Sequence, residues 1–211
     1  MLRNLLNTST AHTTQIRGRL AATDKRIAQL LLITASKVNE NPNVKAQTLP
    51  KVRARLEQAI REYELGFATS RDDAWAQVQV LVLALVLGRQ LDDAWHKAWN
   101  LSLLLSESDL SRDDPLRRFW ALGNLLELHL LATAPGAHAP GDDHRARAVE
   151  SAEWLKQSYT PKYVIELKST RRQLERYIRF FPLVNAQLSA LSPLAQELLN
   201  VLPQPEPTDL G

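Results

Sequence analysis

Apolar positions recur along this chain at three- and four-residue steps, and part of the pattern is repeated. Two helix-length segments, Asp73 to Gly88 and Arg118 to Thr133, read alike 45 positions apart. In each a Trp-Ala pair, Trp75-Ala76 and Trp120-Ala121, opens a strongly apolar helix that is followed by a turn and a more polar helix. A helix that is apolar all round must be covered on several sides. Stacking of such two-helix units supplies that cover, so the pattern predicts a helical solenoid. The repeat is longer than the roughly 34 residues of a standard tetratricopeptide unit, so the units are divergent or carry long turns.

The same periodicity places the other elements. A first helix is expected from Thr13 to Val38, with Ile16, Leu20, Ile27, Leu30, Leu31 and Ile33 along one side. A second should begin near Pro50 behind the capping Thr48, with Val52, Leu56, Ala59, Ile60, Tyr63 and Phe67 as its apolar stripe. The third, Arg71 to Leu87, has the alternating Val78, Val80, Val82, Ala84 and Val86 that a strand could also use. Its length decides for helix, Ser70 and Asp73 resemble a capping arrangement, and Gly88 supplies the stop. A fourth, Leu91 to Leu105, carries Leu91, Trp95, Ala98, Trp99 and Leu103, with Asp92 and Asp93 near its positive end. A fifth starts at Pro115 behind Asp113 and Asp114 and runs to Ala134, followed by a Gly/Pro-rich loop from Pro135 to Asp143. A sixth spans His144 to Ser158, a seventh opens at Thr160-Pro161 and ends near Phe181, and a shorter eighth covers Leu194 to Val201. The expected fold is all-α, a tetratricopeptide-like helical-hairpin solenoid of about seven or eight helices. One domain is expected over residues 1–202, then a Pro-rich disordered tail over 203–211.

Composition removes whole classes of chemistry. With 211 residues, 45% apolar and 23% charged, the chain has the make-up of a globular protein. It contains no cysteine, so disulfides, thiol nucleophiles, iron-sulfur clusters and cysteine-zinc sites are all excluded, and a cytoplasmic location is the natural expectation. The polar start around Asn4, Asn7 and Thr8 to Thr14 lacks the apolar core of a secretion signal. The longest apolar run, Val80 to Leu87, is far shorter than the roughly 20 residues of a membrane span. Charge is zoned: Met1 to Arg61 has 11 Lys/Arg against 3 Asp/Glu, and Glu62 to Pro115 has 4 against 10. Alternating zones suit recognition of a partner more than one continuous nucleic-acid groove.

Ala59 to Phe67, Arg71 to Trp75 and Phe119 to Ala132 together resemble the divergent tetratricopeptide region of the TRAFs-binding type. That region is found in apoptosis signal-regulating kinases and in bacterial CHAT-associated signalling proteins. Arg19 to Ala28 is similar to the helix that precedes the region in bacterial members. The resemblance spans about Arg19 to Ala134, and the chain has Trp75 to Gln79 where the family has a Tyr-Pro-Gly-Asn type stretch. It implies an adaptor or regulatory scaffold in a signalling or defence system. The implied partner is another protein, a caspase-like peptidase or other effector.

Candidate site residues follow from exposed helix faces. Arg61 and Glu64 on the second helix, and Trp95 and Trp99 one turn apart on the fourth, are candidate protein contacts, since Trp and Arg are frequent binding hot spots. Trp75 and Trp120, each opening an apolar helix, are expected in the core. Lys168, Arg172, Arg176 and Arg179 share one face of the seventh helix, next to Arg171. They are candidates for binding nucleic acid or another polyanion, although a charged solvated face is the simpler reading. His138, Asp142, Asp143 and His144 carry metal-ligating atoms, but their Gly/Pro-rich setting lacks a rigid ligand pair, so no metal or other cofactor is expected. His129, inside an apolar helix, is expected to be a hydrogen-bonded packing residue. The acid pairs at helix starts are explained by capping and the helix dipole. No phosphate loop, dinucleotide fingerprint, nucleophile elbow or kinase signature occurs, and no enzymatic activity is expected.

Overall fold

A computed structural model of the chain describes residues 10–38, 42–71, 74–137 and 143–205. Its regular structure is helical, with no strand among the described residues. In order come α1 (Thr10–Val38), α2 (Pro42–Thr69), α3 (Ala74–Val86), α4 (Asp93–Leu110), α5 (Pro115–Ala132) and α6 (His144–Ser158). A 3₁₀ turn at Pro161–Tyr163 leads into α7 (Val164–Arg179), followed by the single turn α8 (Phe181–Val184), a 3₁₀ stretch at Ala186–Leu191 and α9 (Ser192–Val201). The fold is all-α, as the periodicity predicts. The expected disorder over Pro203 to Pro207 falls partly outside the described residues, as do His138, Asp142 and Asp73. The chain divides between Gln90 and Leu91 into two compact units.

In the first unit, Ala21, Lys25, Ala28, Leu32 and Ala35 of α1 are buried, as are Val52, Leu56, Ala59, Tyr63 and Gly66 of α2. Both sets step by four and three, the seam of a coiled-coil-like pair. Arg17 pairs with Glu62 and Arg55 with Asp24, each at 2.9 Å, so numbering rises along one helix as it falls along the other and the pair is antiparallel. The stripe expected on α1 is not the buried one. Leu30 and Ile33 are exposed, while Ile16, Leu20, Ile27 and Leu31 are half-buried. Alanines take the seam because helix axes approach more closely over small side chains. α2 also starts eight residues before the expected Pro50, which lies inside the helix. Thr48 Oγ1 donates back to the Val44 carbonyl at 2.8 Å instead of capping a helix start. A single proline removes one donor and kinks a helix without having to end it.

α3 is buried at Ala74, Ala76, Val78 and Gln79 and continuously from Leu81 to Val86. It runs antiparallel to α2, with Trp75 edge-on to Tyr63 at 5.3 Å and the Leu87 carbonyl accepting from Arg53 Nη1 at 3.1 Å. Its end is set by Gly88, with φ of 71°. Gly88 N–H donates to Leu85 and Arg89 N–H to Ala84, a two-bond stop in which a residue with a Cβ would be strained.

In the second unit, three helix starts use aspartate caps. Asp92 accepts from Trp95 N–H, Asp114 from Leu116 and Arg117 N–H, and Asp143 from Ala146 N–H. α5 packs against α4 and α6, and α7 against α9. The core is built from Phe119, Leu126, Leu128, Leu155, Leu167, Leu174, Tyr177, Phe181 and Leu198, all buried. Arg171 Nη1 donates to the carbonyls of Leu199, Leu202 and Pro203 at 3.2, 2.9 and 3.1 Å. It thereby closes the C-terminal end of α9, where backbone acceptors lack partners.

Candidate functional site

α4 turns its aromatic side inward. Trp95 is 6% and Trp99 1% exposed, which corrects the expectation that they are surface anchors. Trp99 Nε1 donates to the Leu128 carbonyl of α5 at 3.0 Å, a buried indole finding the partner it needs. The inward side continues at the same four- and three-residue steps as Ser102 and Ser106, both 0% exposed. Small serines permit close approach to a neighbour. The outer side of the same turns carries Leu101 and Leu104, 43% and 63% exposed. The usual polarity of a surface helix is therefore inverted over these two turns, with serine inside and leucine outside.

Leu101 and Leu104 do not stand out in the sequence because α4 has apolar residues on both sides, and the indoles do not by themselves say which side is inner. The available signal was the Ser102/Ser106 pair in phase with Trp95 and Trp99. Trp75 and Trp120, expected in the core, are half-buried. Trp154 of α6 is exposed. On α2, Arg61 and Glu64 are exposed as expected, beside the exposed Leu65. The Arg61 guanidinium bonds its own helix through Gln58 Oε1, at 2.6 and 3.2 Å.

The basic residues of α7 divide into two sets. Arg171 is committed to the end of α9, and burial lowers its pKa while the nearby Glu175 opposes the shift. Arg176 is half-buried and donates to Gln173 Oε1 at 2.8 Å. Lys168 is half-buried, Arg172 and Arg179 are exposed, and no ion pair engages these three among the described residues. Ile165, one turn before Lys168, is the most exposed large apolar side chain of the described residues.

Two polar clusters lie inside the second unit. Glu127 of α5 accepts from Gln173 Nε2 at 2.8 Å and from the Tyr177 hydroxyl at 3.0 Å, tying α5 to α7. Burial first, then the Glu127 carboxylate, raises the Tyr177 pKa well above its ordinary value. In the other cluster His129 of α5 meets His144, the first residue of α6, with 3.2 Å between their Nδ1 atoms. Burial, then the His144 and Arg147 charges, lower the His129 pKa to about 4. Trp99 lies edge-on to both rings, at 6.3 and 5.5 Å between ring centres. His129 is thus hydrogen-bonded and packed, as expected, and Asp143 serves as a helix cap. No group of three or more metal-ligating side chains comes together among the described residues. None of their helices is long and apolar enough to cross a membrane.

No family model matches the chain, and no curated protein and no solved structure matches it.

Proposed function

We propose that the protein is a non-catalytic interaction module that recognises another protein through the outer side of α4. The observation that carries this reading is the inverted polarity of the Leu101–Ser106 turns. Two leucines stand in solvent while serines occupy the interior, and exposed apolar side chains gathered on one side are what a recognition surface needs. Lys97 and Glu107 flank the leucines and are exposed, giving the apolar ridge a charged rim of the kind that sets specificity more than affinity. The all-α fold is the class such a module requires, and the sequence resemblance makes a signalling or defence effector the partner class of this reading.

The test is capture of protein partners by the tagged chain from its native lysate under nuclease treatment, comparing wild type with the Leu101→Asp/Leu104→Asp double variant. Both leucines are exposed, so the variant should keep the wild-type circular dichroism and unfolding midpoint while losing the partner. A variant that captures the same partner at the same yield would refute the assignment to α4.

A second reading, binding of a polyanion through α7, is favoured by Lys168, Arg172 and Arg179, which no ion pair engages among the described residues. Phosphate contacts make affinity fall steeply with salt. Charge reversal at Arg172 and Arg179 should abolish a salt-sensitive interaction with a single-stranded oligonucleotide. An interaction unchanged by that reversal would reject α7 as its site.

A further inference from the structure

The contact between His129 and His144 is more specific than packing requires. Their ring planes are 26° apart and their ring centres 5.4 Å apart, a separation close to the 3.2 Å nitrogen contact plus the radii of two imidazole rings. The Nδ1 atoms therefore lie nearly on the line joining the ring centres, and the rings meet edge to edge with their lone-pair directions head on. A metal ion between them is disfavoured by the same geometry. Zinc-imidazole bonds of about 2.0–2.1 Å along one line would need nitrogens about 4 Å apart. A proton fits, because one Nδ1–H can donate to the other Nδ1 at hydrogen-bond distance.

We infer that His129 and His144 form a one-proton latch between α5 and α6, an Nδ1–H···Nδ1 bond that survives the gain of one proton and is broken by a second. In the neutral pair the two rings must adopt complementary tautomers. Adding one proton makes a histidinium that donates to a neutral imidazole, so the bond persists. A second proton sets two N–H groups and two positive charges head to head.

The surroundings define which ring stays neutral. His129 is the more deeply buried ring, and burial is the main force against its charge, so it is the acceptor and His144 the donor. On α6, Arg147 adds positive charge that acts in the same direction. The carboxylate of Asp143 is committed to Ala146 N–H, and Arg145 is paired with Glu197 of α9. α4 presents the uncharged indole of Trp99, with His96 on the preceding turn set edge-on to Trp95. From α7 come Gln173 and Tyr177, both bonded to Glu127, two residues from His129 on α5. Breaking the pair would release the first turn of α6 from α5, with Trp99 losing its contact to both rings.

The test is long-range proton–nitrogen spectroscopy of the histidine rings in the intact chain between pH 7.5 and 3.5, with amide exchange at Ala146, Arg147 and Ala148. At neutral pH His129 should be the Nε2–H tautomer and His144 the Nδ1–H tautomer. As His129 takes its proton near pH 4, protection of those three amides, corrected for intrinsic rate, should fall on the order of tenfold or more. Identical tautomers at neutral pH would overturn the latch, and so would protonation of His129 with unchanged protection. In His144→Gln the neighbouring charge is gone, and His129 should titrate at a higher pH than in wild type. An unchanged His129 titration in that variant would also count against the pair.

Discussion

Tyr177 is fully buried, and its hydroxyl ends on a carboxylate that is itself enclosed. Tyr177→Phe would leave Glu127 with one donor fewer, a loss of about 1–3 kcal/mol, read as a lower urea midpoint with an unchanged slope. The same residue sets an alkaline limit. The unfolded phenol ionises near 10 while the folded one does not, so above that pH the unfolded state holds fewer protons and stability falls. His129 acts at the other end. It binds a proton near 6.5 when unfolded and near 4 when folded. Its contribution is complete above 6.5 and is lost as pH falls toward 4, by at most about 3 kcal/mol. Acid titration of the unfolding free energy should show that slope, and His129→Gln should flatten it. The sequence made His129 legible as a hydrogen-bonded packing residue but not its partner, since a contact across fifteen residues and a loop follows no helical spacing. It likewise left the orientation of Trp95 and Trp99 undecided, because only the serines in phase with them distinguish the inner side.

Among the elements, the helices with clear punctuation were the most legible. Asp114-Pro115 and His144 begin α5 and α6 where expected, and Gly88 ends α3. The start of α2 is not legible because Pro50 has the setting of a first-turn proline, and α8 with its 3₁₀ continuation lies beyond the expected end of the seventh helix near Phe181. The seam of α1 is obscured for a different reason: its large aliphatic residues carry the periodic signal, whereas close packing uses Ala21, Ala28 and Ala35. That close packing makes glycines within it unequal. At Gly66 an added Cβ would meet Arg17 Cβ at 3.8 Å and Thr14 Cγ2 at 4.0 Å, ordinary contacts. Gly66→Ala should therefore stabilise the chain by about 0.5–1 kcal/mol through helix propensity. At Gly18 the added atom would lie 3.1 Å from the Trp75 ring. Gly18→Ala should show a smaller gain or none, and equal midpoint shifts in the two variants would contradict this register.

Across the whole molecule, charge and helix burial have separate consequences. Residues 1–90 hold 13 Lys/Arg against 7 Asp/Glu, and residues 91–211 hold 13 against 16. The basic side of α7 thus belongs to the unit whose own net charge is negative, so a polyanion contact there would rest on the local basic face and not on the charge of its unit. The apolar ridge of α4, in the same unit, remains the surface we propose for recognition of a protein. The burial of α3 bears on what happens when the protein is not folded. From Ala74 to Gly88 there is neither a charged residue nor a proline, and Val78, Val80, Val82, Ala84 and Val86 alternate as in a strand. Tertiary cover keeps this segment helical, and once released it has the composition of a cross-β core. Heating should therefore end in thioflavin-positive fibrils seeded by this stretch, with Val82→Lys, a core substitution that lowers the melting temperature, nevertheless leaving the heated sample soluble. The cover over α3 is thus also what keeps a strand-patterned segment out of solvent, and it lasts only as long as each molecule stays folded.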